Sequence, residues 1–295
     1  YHGRTLLALA MTGKVLPYKA KFGPMPTDVF HTRFPIPYHG FSDEQAIEGL
    51  KAMFASSIEP SAVAAIVLEP VLGEGGFYTA SYNFFKALRE ICDEHGILLV
   101  ADEVQTGFAR TGKMFAMDWV REANGVTPDI MTVAKAMAGG FPISGVIGRA
   151  DVMDAPDPGG LGGTYGGSPL GCVAGLEVLK IIESDNLCGR AVAIGNEIKA
   201  RLHSLQQSGV SMIGDVRGPG AMIALELVKN RDPSQPDPDM TKRIIQEGAK
   251  EGLLMLSCGL RSNVVRFLPA LSASDEIISE ALDKLEALLR RLAEL

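Results

Sequence analysis

The fold is decided by residues 97–105, which read Ile-Leu-Leu-Val-Ala-Asp-Glu-Val-Gln. A short apolar run that ends in a carboxylate predicts a buried strand, with Asp102 at the point where the strand meets its loop. A second apolar run, residues 129–134, ends immediately before Lys135. A helix-length gap separates the two runs, so we expect two strands of one sheet that carry a carboxylate and a lysine at their ends.

Strand-like and helix-like runs alternate over the first two thirds of the chain, which favours an α/β fold with a mainly parallel sheet. Predicted strands cover residues 64–69, 97–102, 129–134 and 143–148, and predicted helices cover residues 81–94 and 166–182. The composition changes after Cys188. We therefore predict a large domain over residues 1–188 and a smaller α+β domain over residues 189–295.

The predicted C-terminal domain contains two strand-like runs, residues 221–227 and 264–268, and a helix-like run, residues 190–205. Residues 230–239 carry three prolines and three aspartates, which indicates a surface loop. Apolar residues from Ile277 to Leu292 fall at helical spacing, and Ser272 and Asp275 predict a capping box at the start of that helix.

The composition is that of an ordinary globular protein, with 46% hydrophobic and 21% charged residues among 295. The net charge of −7, without a basic cluster, argues against nucleic-acid binding. Four cysteines stand far apart with no Cys-x-x-Cys pair, so we expect neither a metal site nor disulfides, and a reducing compartment. No signal peptide or membrane-length apolar run is visible, and we expect a soluble, cytoplasmic protein.

Lys135 and Asp102 together suit a pyridoxal phosphate enzyme. The lysine would hold the cofactor aldehyde as a Schiff base, and the carboxylate would keep the pyridine nitrogen protonated. Burial beside a cationic ring would favour the neutral amine that a general base requires. The plainer interpretation of Asp102 is a helix N-cap, and that of Lys135 is a surface lysine at a strand end.

Six stretches, in order, resemble the class III, fold type I, pyridoxal phosphate-dependent aminotransferases, and the resemblance runs over essentially the whole chain. The stretches are residues 1–5, 69–76, 101–107, 110–112, the Lys135 segment and 159–165. The resemblance is strongest to bacterial members that act on 4-aminobutyrate. It implies a homodimer with a shared active site, or a tetramer made of two such dimers.

The resemblance implies that Lys135 is the catalytic lysine and that Asp102 pairs with the pyridine nitrogen. It further implies that Tyr1 and Val104 contact the two faces of the cofactor ring and that Gln105 binds its phenolic oxygen. Thr164 matches a threonine that reaches the phosphate of the neighbouring subunit's cofactor.

For the substrate, the resemblance implies that Arg4 binds the distal carboxylate and Arg266 the α-carboxylate of glutamate or 2-oxoglutarate. Glu74 matches a gate that pairs with Arg266 while 4-aminobutyrate is bound and then swings aside. Each of these residues is more often part of a surface ion pair. Arg266 lies in an apolar run, which favours a buried partner.

Two alternatives remain open from the sequence. One is another class III ω-aminotransferase, acting on β-alanine, ornithine, acetylornithine or diaminobutyrate. The other is a cofactor-free, non-catalytic chain, because the phosphate-binding segment of the resembling family precedes the residue that matches Tyr1. We therefore expect the natural protein to be longer than this chain.

Overall fold

The structure, a computed structural model, describes residues 1–294, and the chain forms two compact units. The parallel-sheet unit consists of Asp43–Pro70 and Ala80–Cys188. The antiparallel-sheet unit consists of Tyr1–Ser42, Val71–Thr79 and Gly189–Leu295. The predicted functional division into residues 1–188 and 189–295 stays a prediction.

The parallel-sheet unit is built on a four-stranded sheet in the order β1-β2-β3-β4. Its strands are β1 (Ala65–Leu68), β2 (Leu98–Asp102), β3 (Ile130–Val133) and β4 (Gly145–Gly148). The first three strands are parallel, and β4 runs antiparallel to β3. The expected α/β fold with a mainly parallel sheet is confirmed, because apolar strands alternate with helices as the sequence pattern predicts.

This unit also contains α-helices. They are α2 (Asp43–Ser56), α3 (Tyr82–His95), α4 (Ala116–Asn124), α5 (Ala150–Met153) and α6 (Pro169–Ser184). Helix α3 begins where the Ser81 hydroxyl accepts a hydrogen bond from the Phe84 backbone N–H, and it ends at Gly96 in the left-handed conformation. Its predicted apolar face is buried.

The antiparallel-sheet unit has a four-stranded sheet in the order β5-β6-β8-β7. Its strands are β5 (Ile213–Arg217), β6 (Ile223–Leu227), β7 (Leu256–Cys258) and β8 (Val264–Phe267). The remaining helices of the chain are α1 (Leu6–Met11), α7 (Leu187–Gln207), α8 (Pro238–Lys250) and α9 (Asp275–Ala293). Over residues 1–294, none of the helices is long and apolar enough to cross a membrane.

The predicted capping box of the last helix is wrong. The cap of α9 is Ser274, whose hydroxyl accepts from the Ile277 backbone N–H, and Asp275 is the first helical residue. Two serines lie within reach of the helix start, and the later one is used. In the folded helix Ile277 is exposed, whereas Ile278 lies in the buried stripe with the predicted leucines.

Candidate active site

Asp102 is the last residue of β2 and is 7% exposed. One of its carboxylate oxygens accepts a hydrogen bond from the Val104 backbone N–H at 3.1 Å. Asp102 pairs in register with Thr132 of the parallel strand β3, so both strands end at the same edge of the sheet. The carboxylate therefore lies where open α/β sheets bind their ligands.

Lys135 follows the end of β3 and opens a short 3₁₀ helix, Lys135–Ala138. Its φ of 48° lies in the left-handed region, which costs a non-glycine residue roughly 1 kcal/mol or more. Such strained residues cluster at functional sites, where the surrounding structure holds them in place. The Lys135 side chain is exposed in this structure, and its expected burial beside a cofactor ring stays a prediction.

Two buried polar atoms next to these residues have no hydrogen-bond partner. They are the Gln105 side-chain oxygen and the Thr132 hydroxyl. A buried polar atom without a partner costs about 1–3 kcal/mol, so a ligand that satisfies it would be stabilised. With the Asp102 carboxylate and the Lys135 amine at the same sheet edge, this donor and acceptor set fits pyridoxal phosphate. Half-buried Val104 lies between Glu103 and Gln105 in the loop after β2.

Glu103, to which no sequence pattern assigns a role, fixes this loop. Its fully buried carboxylate accepts from the backbone N–H groups of Ala116 and Met117 at 3.1 and 2.7 Å, and from the Thr106 hydroxyl. It thereby satisfies the first turn of α4. Burial raises the pKa of Glu103 despite these bonds, which lower it. Nothing in the sequence distinguishes Glu103 from its acidic neighbour.

Thr164 lies in an exposed, glycine-rich loop between α5 and α6. The neighbouring Tyr165 and Leu161 are 90% and 73% exposed. Gly159 and Gly167 adopt positive φ angles, which allow the sharp turns of this loop. The predicted contact of Thr164 with a cofactor in another subunit stays a prediction.

In the antiparallel-sheet unit, the two predicted partners Glu74 and Arg266 form an ion pair between Oε1 and NH1. Their side chains are 18% and 13% exposed. Arg266 lies on β8, and Glu74 lies in the short segment Val71–Thr79 of this unit. The Gly259 backbone N–H donates to the Glu74 carbonyl at 2.9 Å, which connects this segment to the turn between β7 and β8.

Tyr18 also binds Glu74, although no sequence pattern marks it as a site residue. The Tyr18 hydroxyl donates to Oε2 of Glu74 at 2.7 Å. Burial raises the pKa of Tyr18 to about 12, with the hydrogen bond to Glu74 adding to the effect. Burial alone would raise the pKa of Glu74, but the Tyr18 hydrogen bond and the charge of Arg266 outweigh it and lower that pKa.

Arg4 and Tyr1 both lie close to Tyr18. The Arg4 guanidinium carbon lies 5.3 Å from the Tyr18 ring centroid and 6.0 Å from that of Tyr1. The two tyrosine rings are 4.7 Å apart. Arg4 itself is exposed, so its guanidinium is accessible to a carboxylate. Within this unit, Tyr18 links the predicted residues Arg4, Glu74 and Tyr1.

Comparison with known proteins supports the same chemistry. The model of the family "Aminotransferase class-III" matches residues 1–289. The chain is 50% identical to the 4-aminobutyrate aminotransferase GabT of Escherichia coli, over 96% of this chain and 67% of that protein. It is 46% identical to the 5-aminovalerate aminotransferase DavT of Pseudomonas aeruginosa, over 96% of this chain and 65% of that protein. The chain thus spans about two thirds of the length of these relatives.

Solved structures agree with this assignment. A PLP-bound amine transaminase from an uncultivated Pseudomonas species superposes with a TM-score of 0.87 at 32% identity, covering 99% of this chain and 68% of the other. The ornithine aminotransferase from Toxoplasma gondii gives 0.82 at 31% identity, covering 100% and 63%. Together with the cofactor-compatible edge around Asp102 and Lys135, these matches establish that the chain belongs to the class III aminotransferases, which depend on pyridoxal phosphate.

Proposed function

We propose that this protein transfers the amino group of 4-aminobutyrate to 2-oxoglutarate, giving succinate semialdehyde and glutamate in two half-reactions. The observation that carries the proposal is the ion pair between Glu74 and Arg266. An enzyme that accepts a monocarboxylate donor and then a dicarboxylate acceptor must hide a guanidinium from the first and offer it to the second. A carboxylate paired with that guanidinium, and still partly exposed, can do both.

Pyridoxal phosphate, when bound, supplies the aldehyde that takes the amino group and a ring that withdraws electrons. The Asp102 carboxylate would hold a proton on the ring nitrogen through a charge-assisted hydrogen bond. The Lys135 amine would act as the general base that removes the proton from the amine-bearing carbon of the substrate. The protonated lysine would then act as the general acid that returns it. Gln105 has a free buried acceptor for a polar group of the ring.

Substrate binding in this proposal depends on the two arginines. Exposed Arg4 would bind the carboxylate far from the reacting amine, a role that suits the fork geometry of a guanidinium. Arg266 would bind the α-carboxylate of glutamate after Glu74 has moved aside. While 4-aminobutyrate is bound, Glu74 would neutralise Arg266 and avoid an unpaired buried charge.

A second donor, 5-aminovalerate, is the main alternative. The DavT relatives, named for that substrate, are 46% identical to the chain. One additional methylene is worth only about 1–3 kcal/mol in an apolar pocket, so the two donors are expected to differ in rate rather than in mechanism.

We further propose a cytoplasmic homodimer. Exposed apolar side chains line α6 of the parallel-sheet unit, and surfaces of this kind are typical of subunit interfaces. They are Leu170, Val173, Leu176, Leu179 and Ile181. In such a dimer, Thr164 would serve the cofactor of the neighbouring subunit. All four cysteines are free, which suits a reducing compartment.

The test is an absorption spectrum of the full-length protein loaded with pyridoxal phosphate, followed by donor addition without a keto acid. We expect a visible band that 4-aminobutyrate converts to a near-ultraviolet band, faster than 5-aminovalerate does. A faster reaction with 5-aminovalerate would replace the donor in our proposal. A band that no ω-amino acid changes would overturn it, and Lys135→Ala is the control that should show no such band.

A further inference from the structure

The Glu74 carboxylate is held from two sides, by Arg266 on Oε1 and by Tyr18 on Oε2. We propose that Tyr18 is a positioning residue that keeps Glu74 on Arg266. It thereby sets the preference of the enzyme between donors with one carboxylate and donors with two. This inference rests on the proposed function and extends it to a residue outside the Glu74–Arg266 pair.

Arg266 donates only one hydrogen bond to the Glu74 carboxylate. Its NH1 group binds Oε1, whereas its Nε is buried and has no hydrogen-bond partner. Arginine usually binds a carboxylate with two parallel hydrogen bonds, and such a bidentate pair is stronger and better oriented. With only one of these bonds in place, the hydroxyl of Tyr18 supplies the second attachment of the carboxylate.

Tyr18 is well placed to be the fixed partner. It is 9% exposed. Its ring lies against the ring of Tyr1 and against the Arg4 guanidinium. A buried ring cannot follow Glu74 when that side chain swings away. Opening the gate therefore breaks the hydrogen bond to Oε2 at 2.7 Å, and the lost bond favours the closed position.

The direction of the effect follows from this geometry. The 4-aminobutyrate half-reaction needs Glu74 on Arg266, and the glutamate half-reaction needs it displaced. Replacing Tyr18 by phenylalanine keeps the ring contacts and removes only the hydroxyl. The closed position is then less favoured, so glutamate should gain relative to 4-aminobutyrate.

The experiment compares the two half-reactions in full-length, cofactor-loaded wild type and Tyr18→Phe. We expect the ratio of kcat/KM for glutamate to that for 4-aminobutyrate to rise about tenfold, mainly through a lower KM for glutamate, because the open position that glutamate needs becomes more populated. Tyr38→Phe is the matched control, because the Tyr38 hydroxyl of the same unit is buried without a partner. That variant should leave the ratio unchanged. An unchanged ratio in Tyr18→Phe would overturn the inference.

A double-mutant cycle tests whether Tyr18 acts through Glu74. In a Glu74→Ala background, which offers Tyr18 no acceptor, adding Tyr18→Phe should change the ratio by less than about twofold. A tenfold change there as well would mean that Tyr18 acts on the substrate directly, and would also overturn the inference.

A second readout does not depend on catalysis. Because the Tyr18 hydrogen bond lowers the pKa of Glu74, Tyr18→Phe should raise that pKa in a carbon-13 NMR titration of side-chain carboxyls. If wild type reacts with neither 4-aminobutyrate nor glutamate, the proposed function fails. The NMR shift still decides the contact: an unchanged pKa of Glu74 would show that Tyr18 does not hold it.

Discussion

The antiparallel-sheet unit contains the same three residue types twice, in different surroundings. The gate cluster is Arg266, Glu74 and Tyr18. The brace cluster is Arg217, Glu226 and Tyr78. The two arginines lie in one row across the sheet, since Arg217 of β5 and Arg266 of β8 both pair in register with Ala224 of β6.

The brace cluster is closed. Glu226 is fully buried, and its carboxylate has four partners. They are the Tyr78 hydroxyl at 2.7 Å, Arg217 NH1 at 2.7 Å, His39 Nε2 at 2.9 Å and Asn263 Nδ2 at 3.2 Å. Arg217 also donates twice to the Gly76 carbonyl and lies 3.8 Å from the Tyr78 ring centroid.

The two clusters show how one set of residue types can serve two purposes. A fully buried carboxylate with four partners cannot leave its place without stranding charges in the core. Glu74 has two side-chain partners and an exposed edge, so water can solvate it when it moves. The brace cluster fixes Gly76 and Tyr78, which belong to the same segment, Val71–Thr79, as Glu74. The brace cluster thus holds this segment rigid, and the Glu74 side chain on the same segment can move.

The largest test of this comparison is to remove each carboxylate charge in turn. Glu226→Gln should lower the free energy of unfolding by about 3 kcal/mol, because it removes the buried counter-charge of Arg217 and leaves only partly exposed Asp215 to pair with it. Glu74→Gln should cost less than about 1 kcal/mol, because solvent replaces the lost interaction. Urea unfolding of both variants measures the two values. Equal losses would show that the brace is no more structural than the gate.

Acid sensitivity should divide in the same way. The pKa values of Glu226 and Glu74 both lie below the ordinary value, mainly because hydrogen bonds and a guanidinium outweigh burial. A carboxyl with a lowered folded pKa contributes stability above its unfolded pKa of about 4.3 and loses it as pH falls through the folded pKa.

We therefore expect wild type to lose stability below about pH 4.3 and Glu226→Gln to lose less over the same range. Glu74→Gln should follow the wild-type curve more closely. The measurement is the free energy of unfolding as a function of pH. A Glu226→Gln curve parallel to that of wild type would show that this carboxyl is not responsible for the acid loss.

The sequence predicts the positions of Asp102 and Lys135 well, because each ends a run whose apolar pattern alone identifies a strand. It also predicts that Arg266 has a partner, since an arginine inside an apolar strand needs one. The brace is a different case. Tyr78 and Glu226 are 148 residues apart along the chain, and no local pattern records their hydrogen bond.

Tyr18 and β5 escape prediction for related reasons. Tyr18 lies in a stretch without regular periodicity, so nothing marks it as buried. Strand β5, which carries Arg217, alternates weakly and has a register shift next to β6. Lys135 shows the limit in the other direction: its place in the chain is predictable, but its left-handed backbone and its exposure depend on how the following turn folds.

The smallest test compares the two hydroxyls. Tyr78→Phe should lower the free energy of unfolding by about 2–3 kcal/mol, because Glu226, a charged and fully buried group, loses a hydrogen bond where no water can replace it. Tyr18→Phe should cost about 1–1.5 kcal/mol, in line with the expected change in substrate preference, since partly exposed Glu74 can turn its free oxygen to solvent. Thermal or urea unfolding of the pair decides the matter. If Tyr18→Phe proves as costly as Tyr78→Phe, the gate is held as firmly as the brace, and Glu74 would not be free to swing.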